Sequence, residues 1–180
     1  NHDYLMVFPE RLNYSLPEDL AVNLVEPGTC RMLNPNAAKK YRAEASMEKQ
    51  AREKIVEATI VQDHISRGTI VNSYLVHYDA VDKPGEIHQA KGRVRFNNRI
   101  LGVIVSGTDL NSSDTILGNA ETVYESSHSR RTENDLVRIS SDRHQLFLNF
   151  EVVGFIDQVR VVVEADSSQL EIARFLDGID

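Results

Sequence analysis

The sequence predicts a mainly β protein: an antiparallel, jelly-roll-like β-sandwich that forms a single domain over residues 1–180. Three observations predict this fold. Val, Ile and Thr, whose branched side chains favour strands, make up 38 of the 180 residues. Short apolar stretches recur between turn signals such as Pro27-Gly28 and Pro84-Gly85. No alternation of helices with strands, as in βαβ units, runs through the chain.

The first predicted strands lie in the N-terminal half of the chain. Residues 4–8 are largely apolar, and Pro9 is expected to stop them, because proline donates no backbone hydrogen bond. Residues 20–25 alternate loosely up to the turn at Pro27-Gly28. Residues 69–78 alternate most clearly, which predicts a strand with two distinct faces.

The later strands follow the break at Pro84-Gly85. Residues 92–96 alternate apolar with charged side chains, and Asn97-Asn98 is expected to turn them tightly into 100–105. Both faces of 100–105 are apolar, which is typical of a central strand. The remaining predicted strands are 136–139, 145–152 and 159–163.

Two stretches predict helices. Residues 36–58 are rich in Ala, Glu, Lys, Arg and Gln, and their narrow apolar stripe predicts a surface helix near 37–58, inserted into the sandwich. The favoured interpretation is a solvated helix with one packed edge, and the alternative is a helix that docks a partner. Residues 167–176 predict a short C-terminal helix, which Asp166 or Ser167 can cap.

Composition argues against several classes of function. The chain has 20 Lys and Arg against 27 Asp and Glu, a net charge of −7, which argues against nucleic acid as a partner. No apolar run approaches the roughly 18 residues of a transmembrane segment. Cys30 is the only cysteine, so no internal disulfide forms. The Gly-x-Ser-x-Gly nucleophile elbow and the glycine-rich phosphate loops are absent.

An oxygen-rich segment after the 100–105 strand predicts a metal site. Asp109, Asn111, Ser113 and Asp114 offer the carboxylate, amide and hydroxyl oxygens that calcium prefers. The alternate positions match the opening of a calcium loop. An EF-hand is excluded, because Asp114 stands where that loop needs glycine and Ala120 where it needs a bidentate glutamate.

The favoured alternative for this segment is a capped turn without a metal, because turn residues often have this role. In that case Asp109, Asn111 or Ser112 caps a short helix that runs through Leu117 and ends at Gly118.

Histidines give a weaker indication of chemistry. The six histidines show no compact zinc spacing. His77 and Asp79 share one face of the 69–78 strand, and His88 could join them if the next strand pairs back. Such a cleft would be the basis of a hydrolase hypothesis.

Several short motifs follow one another along the chain. They are Phe8-Pro9-Glu10, Gly68-Thr69, Val71-Asn72-Ser73-Tyr74-Leu75, Ile100-Leu101-Gly102-Val103-Ile104, Ser113-Asp114, Leu117-Gly118, Ser141-Asp142-Arg143 and Asp157-Gln158-Val159-Arg160-Val161. In this order they resemble a segment of secreted, mostly uncharacterised bacterial proteins that often end in a PEP-CTERM sorting signal. The resemblance implies an exported β-sandwich of the cell envelope or its surroundings, and it implies no catalytic residue.

Most positions of these motifs have a structural interpretation. Asp157 is expected to cap a turn, and Arg160 to lie on the exposed face of a strand whose Val159 and Val161 face the core. Gly102 is expected to permit close packing.

Three functional hypotheses follow. The first is a non-catalytic, secreted or cell-envelope β-sandwich that binds a glycan or a surface protein and is stabilised by calcium. The second is a structural or assembly subunit that docks a partner through helix 36–58. The third, least favoured, is the hydrolase. With no Trp in the chain, the aromatic candidates for a sugar platform are Tyr14, Tyr41, Tyr78 and Tyr124.

Overall fold

The structure, a computed structural model, describes residues 4–27, 29–32, 54–57, 63–79, 88–124, 136–152 and 156–165. The strands in the first half of the chain are β1 (Tyr4–Ser15), β2 (Leu20–Val22), β3 (Thr29–Met32), β4 (Lys54–Glu57), β5 (Asp63–Ile65) and β6 (Ile70–Asp79). The later elements are β7 (His88–Arg95), β8 (Ile100–Ile104), helix α1 (Gly107–Leu117), β9 (Leu136–Ile139), β10 (Gln145–Val152) and β11 (Ile156–Glu164).

The strands form two main sheets. Sheet I has the order β1-β6-β11-β8, and sheet II has the order β4-β3-β9-β10-β7. Strands β2 and β5 form a separate pair. All described pairs are antiparallel except β3 with β4. The chain is therefore mainly β, as the sequence predicts, with α1 as the helix of the described part.

The main core lies between the two sheets, as in a sandwich. Alternate residues of each central strand are buried there: Val76, Tyr78 and Val161 from sheet I, and Leu148 and Phe150 from sheet II. The Tyr78 and Phe150 rings stack with centroids 5.9 Å apart and planes 4° apart. Burial of this apolar area from both sheets is the main driving force for their packing.

A second core covers the other face of sheet I. Leu110 and Leu117 of α1 pack there with Val22 of β2 and Val162 of β11. Strand β2 lies close over β8, since a side chain at Gly102 would approach the Val22 side chain to 3.1 Å. The centre of sheet I is therefore covered on both faces, and its strand β11 is buried almost throughout, whereas the edge strand β1 is largely exposed.

Strand β1 differs from its prediction. It continues through Pro9 to Ser15, and its register with β6 shifts between Pro9 and Arg11 and again between Arg11 and Tyr14. Proline is tolerated because β1 is an edge strand of sheet I, where not every N–H needs a partner. The shift leaves Glu10 without a Cα partner on β6.

Two other local predictions are wrong. Lys54–Glu57, at the end of the predicted 37–58 helix, is strand β4, which pairs with β3; its Ile-Val pair favours a strand. The predicted 92–96 to 100–105 hairpin does not form, since β7 belongs to sheet II and β8 to sheet I. Residues 36–53 of the predicted surface helix and the predicted C-terminal helix lie outside the described residues.

Candidate functional site

The most polar interior region surrounds Arg160, which the sequence placed on an exposed face. That prediction is wrong: the Arg160 side chain is 0% exposed. Strand alternation sends Val159 and Val161 into the core between the sheets, and it sends Arg160 to the opposite face. Because α1 covers that opposite face, Arg160 is enclosed rather than solvated.

All five N–H donors of the Arg160 guanidinium are used. Nε and Nη2 donate to the two carboxylate oxygens of Glu10, at 2.7 and 2.8 Å. Nη2 also donates to Asp114 Oδ1 at 2.8 Å. Nη1 donates to Ser113 Oγ at 2.6 Å and to the Leu110 carbonyl at 3.1 Å. This bidentate geometry is the strong form of an arginine–carboxylate pair.

Tyr124 closes this group of residues from the segment after α1. Its ring lies 5.5 Å from the Arg160 guanidinium, and its hydroxyl donates to Glu10 Oε1 at 2.7 Å. The same hydroxyl accepts from the Asn119 amide at 2.8 Å. Burial and the hydrogen bond to Glu10 raise the pKa of Tyr124 above its ordinary value of 10.0. We call Arg160, Glu10, Ser113, Asp114 and Tyr124 the Arg160 cluster.

The opposite charges of the Arg160 cluster stabilise one another. Burial would lower the pKa of Arg160, but the hydrogen bonds and negative charges of Glu10 and then Asp114 outweigh that effect and raise it. The guanidinium therefore stays charged and paired. Its donors are engaged by the protein, so the cluster joins β1, β11 and α1 rather than presenting a reactive group to a substrate.

A second polar network fixes the start of α1. Ser106, not a residue of the 109–112 segment, is the N-cap: its Oγ accepts from the Asp109 amide at 3.1 Å and donates to Asp109 Oδ2 at 2.7 Å. Asn23 donates to the same Asp109 oxygen at 2.8 Å and accepts from the Val105 and Ser106 amides. An acidic residue in the first turn also suits the helix dipole.

The four predicted calcium ligands all lie on helix α1, and three of them form hydrogen bonds with other side chains of the protein. Asp109 joins the network at its start, and Ser113 and Asp114 contact Arg160. Asn111 is exposed on α1. The alternative of a short helix through Leu117 is confirmed, with Gly118 as its C-cap. Among the described residues, no group of three or more His, Cys, Asp or Glu side chains is placed to hold a metal ion. A calcium site here stays a prediction.

The structure brings together motifs that are far apart in sequence. Glu10, Ser113, Asp114 and Arg160 come from three of the motifs behind the family resemblance, and they meet in one cluster. Sequence reasoning named those motifs but did not predict their contact, which spans 150 residues between Glu10 and Arg160. Asn23 and the roles of Glu10 and Tyr124 were missed, because a single polar residue carries no periodic signal.

The proposed histidine cleft does not assemble by strand pairing. His77 lies on β6 in sheet I, whereas His88 lies on β7 in sheet II. The His77 ring nitrogen Nδ1 is 2.8 Å from the side-chain amide nitrogen Nε2 of Gln158. Of the aromatic candidates for a sugar platform, Tyr78 is wholly buried, Tyr14 and Tyr124 are half-buried, and Tyr41 lies outside the described residues.

The outer face of sheet II carries a different polar surface. Register places Lys91, Arg93 and Arg95 of β7 opposite Asn149, Phe147 and Gln145 of β10, on the face turned away from the core. Arg138 of β9 is opposite Phe147 on its other side. We call this surface the basic face; it comprises Lys91, Arg93, Arg95, Arg138, Gln145, Phe147 and Asn149.

The basic face is exposed, and one polar atom within it lacks a hydrogen-bond partner among the described residues. Lys91, Arg93 and Arg95 are exposed, and no described carboxylate forms an ion pair with Lys91 or Arg93. The Arg138 guanidinium lies 4.1 Å from the Phe147 ring centroid, which forms a flat base. Asn149 Oδ1 is shielded from solvent and accepts no hydrogen bond within the part of the chain that the structure describes.

Asp142 is the acidic residue near one end of the basic face. The Ser140 hydroxyl and the His144 amide lower its pKa by donating to its carboxylate, and Arg95 adds a smaller electrostatic effect. The charge of Arg95 is therefore partly offset. Register places Glu151 of β10 opposite Gln89, at the other end of the face, and no described ion pair engages Lys91 or Arg93.

Comparisons with known proteins add nothing to this description of the site. No family model matches the chain, and searches of the curated proteins and of the solved structures also find no match. No helix in the described ranges is long and apolar enough to cross a membrane.

Proposed function

We propose that the protein is a non-catalytic binding module of the secreted or cell-envelope class, and that its ligand is a glycan. The observation that carries this proposal is the basic face, where exposed side chains surround the Arg138–Phe147 stack. A flat, rigid sheet surface with polar groups around an aromatic ring is suited to binding a sugar polymer without any moving part.

The Arg160 cluster supports the non-catalytic part of the proposal. A catalytic acid or base must reach substrate with its proton-transfer atoms free. In the cluster, the Glu10 carboxylate and Arg160 guanidinium bind each other, and Arg160 has no exposed area. Their role is to hold the scaffold together. A bound calcium ion at Asp109, Asn111, Ser113 and Asp114 remains a separate prediction, on which this proposal does not depend.

The test measures binding of the intact protein to a panel of soluble polysaccharides: dextran, xylan, polygalacturonate and heparin. At least one is expected to bind, and Phe147→Ala is expected to weaken that binding roughly fivefold, about 1 kcal/mol, because Arg138 loses its supporting ring. Phe8→Ala is the matched control, since Phe8 is a partly exposed phenylalanine on the edge strand of the other sheet.

Two outcomes contradict the proposal. If no polysaccharide binds, or if Phe147→Ala and Phe8→Ala weaken binding equally, the basic face is not a glycan site. If incubation with the bound polymer releases new reducing ends, the protein is an enzyme and the non-catalytic part is wrong.

A further inference from the structure

We infer that the basic face selects an anionic polysaccharide, one that carries carboxylate or sulfate groups along a hydroxyl-rich chain. This inference rests on the proposed function and names the chemical class of its ligand. It depends on two properties of the face: the arrangement of its cations and their exposure.

The cations form a row along one strand. Lys91, Arg93 and Arg95 occupy alternate positions of β7, so their Cα atoms follow one another at intervals of about 7 Å. Strand β7 is the edge strand of sheet II in the described part of the chain, and Arg138 adds a fourth cation two strands inward. Such a row suits an extended polymer that lies along β7 with its negative groups facing the sheet.

This local charge opposes the charge of the whole chain. The protein carries a net charge of −7, yet the described side chains at the centre of the basic face are cationic, aromatic or amide. Exposed like charges on neighbouring positions repel one another and add no stability to an isolated sheet. Their grouping is explained by a negatively charged ligand that they attract.

The aromatic content of the basic face favours a polysaccharide over a nucleic acid. Single-stranded nucleic acid binds through exposed aromatic rings on which successive bases stack. Among its described side chains the basic face has one aromatic ring, Phe147, and the Arg138 guanidinium lies 4.1 Å from the centroid of that ring. An acidic polysaccharide needs no such series of rings, and it offers anionic groups to Lys91 and Arg93.

The test compares two double variants with the same change in charge. Lys91→Gln/Arg93→Gln removes two cations from the basic face, and Arg67→Gln/Arg99→Gln removes two exposed cations elsewhere. The Arg99–Glu164 pair is exposed with its atoms 4.0 Å apart, so its loss has little effect on stability. Circular dichroism and thermal melts verify that both variants fold.

The probes are heparin, polygalacturonate, dextran and a single-stranded poly-dT, all at the same ionic strength. We expect heparin or polygalacturonate to bind more tightly than dextran, and Lys91→Gln/Arg93→Gln to weaken that binding on the order of tenfold or more. The control variant should change it less than about threefold, because remote exposed charges are screened.

The outcomes separate this inference from the proposed function. If dextran or xylan binds best, and Phe147→Ala weakens that binding while Lys91→Gln/Arg93→Gln does not, the charge inference is wrong and the glycan-binding function stands. If poly-dT binds more tightly than both acidic polysaccharides, the ligand class is wrong. If neither double variant changes binding of the acidic polymer, the basic face is not its site. If no polymer binds, both proposals fail.

Discussion

Arginine is buried on the outer face of sheet I and exposed on the outer face of sheet II. On sheet I, α1 covers the face, and Arg160 is enclosed with two carboxylates, a hydroxyl and a backbone carbonyl. On sheet II, Arg93 occupies a similar outward position on a strand but is exposed, with no described carboxylate paired to it. The same side chain therefore belongs to the folded core in one sheet and to the surface in the other.

This difference indicates where structure and function are located. A buried charge is costly unless every partner is present, so removing one member of the Arg160 cluster should affect folding. An exposed charge costs almost nothing to keep or remove, so Arg93 is available for a ligand.

Arg160→Met should destabilise the protein by about 3–5 kcal/mol, because it leaves the buried Glu10 carboxylate and the half-buried Asp114 carboxylate without their cation. Arg93→Met, the matched control, should change the free energy of unfolding by less than about 0.5 kcal/mol. Urea unfolding followed by circular dichroism measures both values. Equal effects of the two substitutions would mean that the Arg160 cluster does not stabilise the fold.

Asp109→Ala should destabilise the protein by about 1–3 kcal/mol in buffer that contains a chelator, because Asn23 and Ser106 lose a buried acceptor. Asp63→Ala is the control, since the exposed Asp63 carboxylate accepts only from the neighbouring His64 amide among the described contacts. Thermal melts with and without millimolar calcium extend the measurement to the metal.

The calcium melts distinguish two roles of Asp109. A calcium site would make calcium raise the melting temperature of the unaltered protein, and Asp109→Ala would abolish the rise. A melting temperature that calcium does not change would leave Asp109 with its structural role alone. If Asp109→Ala has no effect in the chelator, its network with Asn23 contributes no stability.

The smallest expected effect is on folding stability at alkaline pH, and it arises from Tyr124. Burial and the hydrogen bond to Glu10 raise its pKa in the folded state, so folding favours the neutral phenol. The resulting stability is fully present below the ordinary tyrosine pKa of 10.0 and is lost as the pH rises through the raised value. Tyr124→Phe should therefore show a shallower loss of stability between about pH 9 and pH 12 than the unaltered protein. Parallel curves in urea unfolding would contradict this role.

Strand patterns were predictable because they are local. Gln145–Val152 was predicted with its observed bounds, and 69–78 was predicted within one residue of β6 at each end. Alternating apolar residues give this signal whatever the strand pairs with. Pairing itself depends on distant residues, which is why Asn97-Asn98 did not reveal that β7 and β8 join different sheets.

The candidate site was predictable only in part. The alternation around Arg160 correctly placed it on the face opposite Val159 and Val161. Whether that face meets solvent depends on α1 and on Glu10, and neither is close to it in sequence. Arg93 and Arg95 of β7 were visible as the exposed side of the predicted 92–96 strand, whereas Lys91 lay outside that strand. Their neighbours Arg138 and Asn149 became known only from the register of sheet II.

The Glu10–Arg160 contact also affects the order in which the chain can fold during synthesis. Strands β1 and β6 are available early in synthesis, but the arginine that neutralises Glu10 is added 150 residues after it. At typical synthesis rates of 5–20 residues per second, that interval is about 8–30 s. Throughout it, Glu10 has no Arg160 to pair with, but its carboxylate stays solvated because β11 and α1 do not yet enclose it. The Arg160 cluster should therefore form, and α1 pack fully over sheet I, only after β11 has emerged from the ribosome.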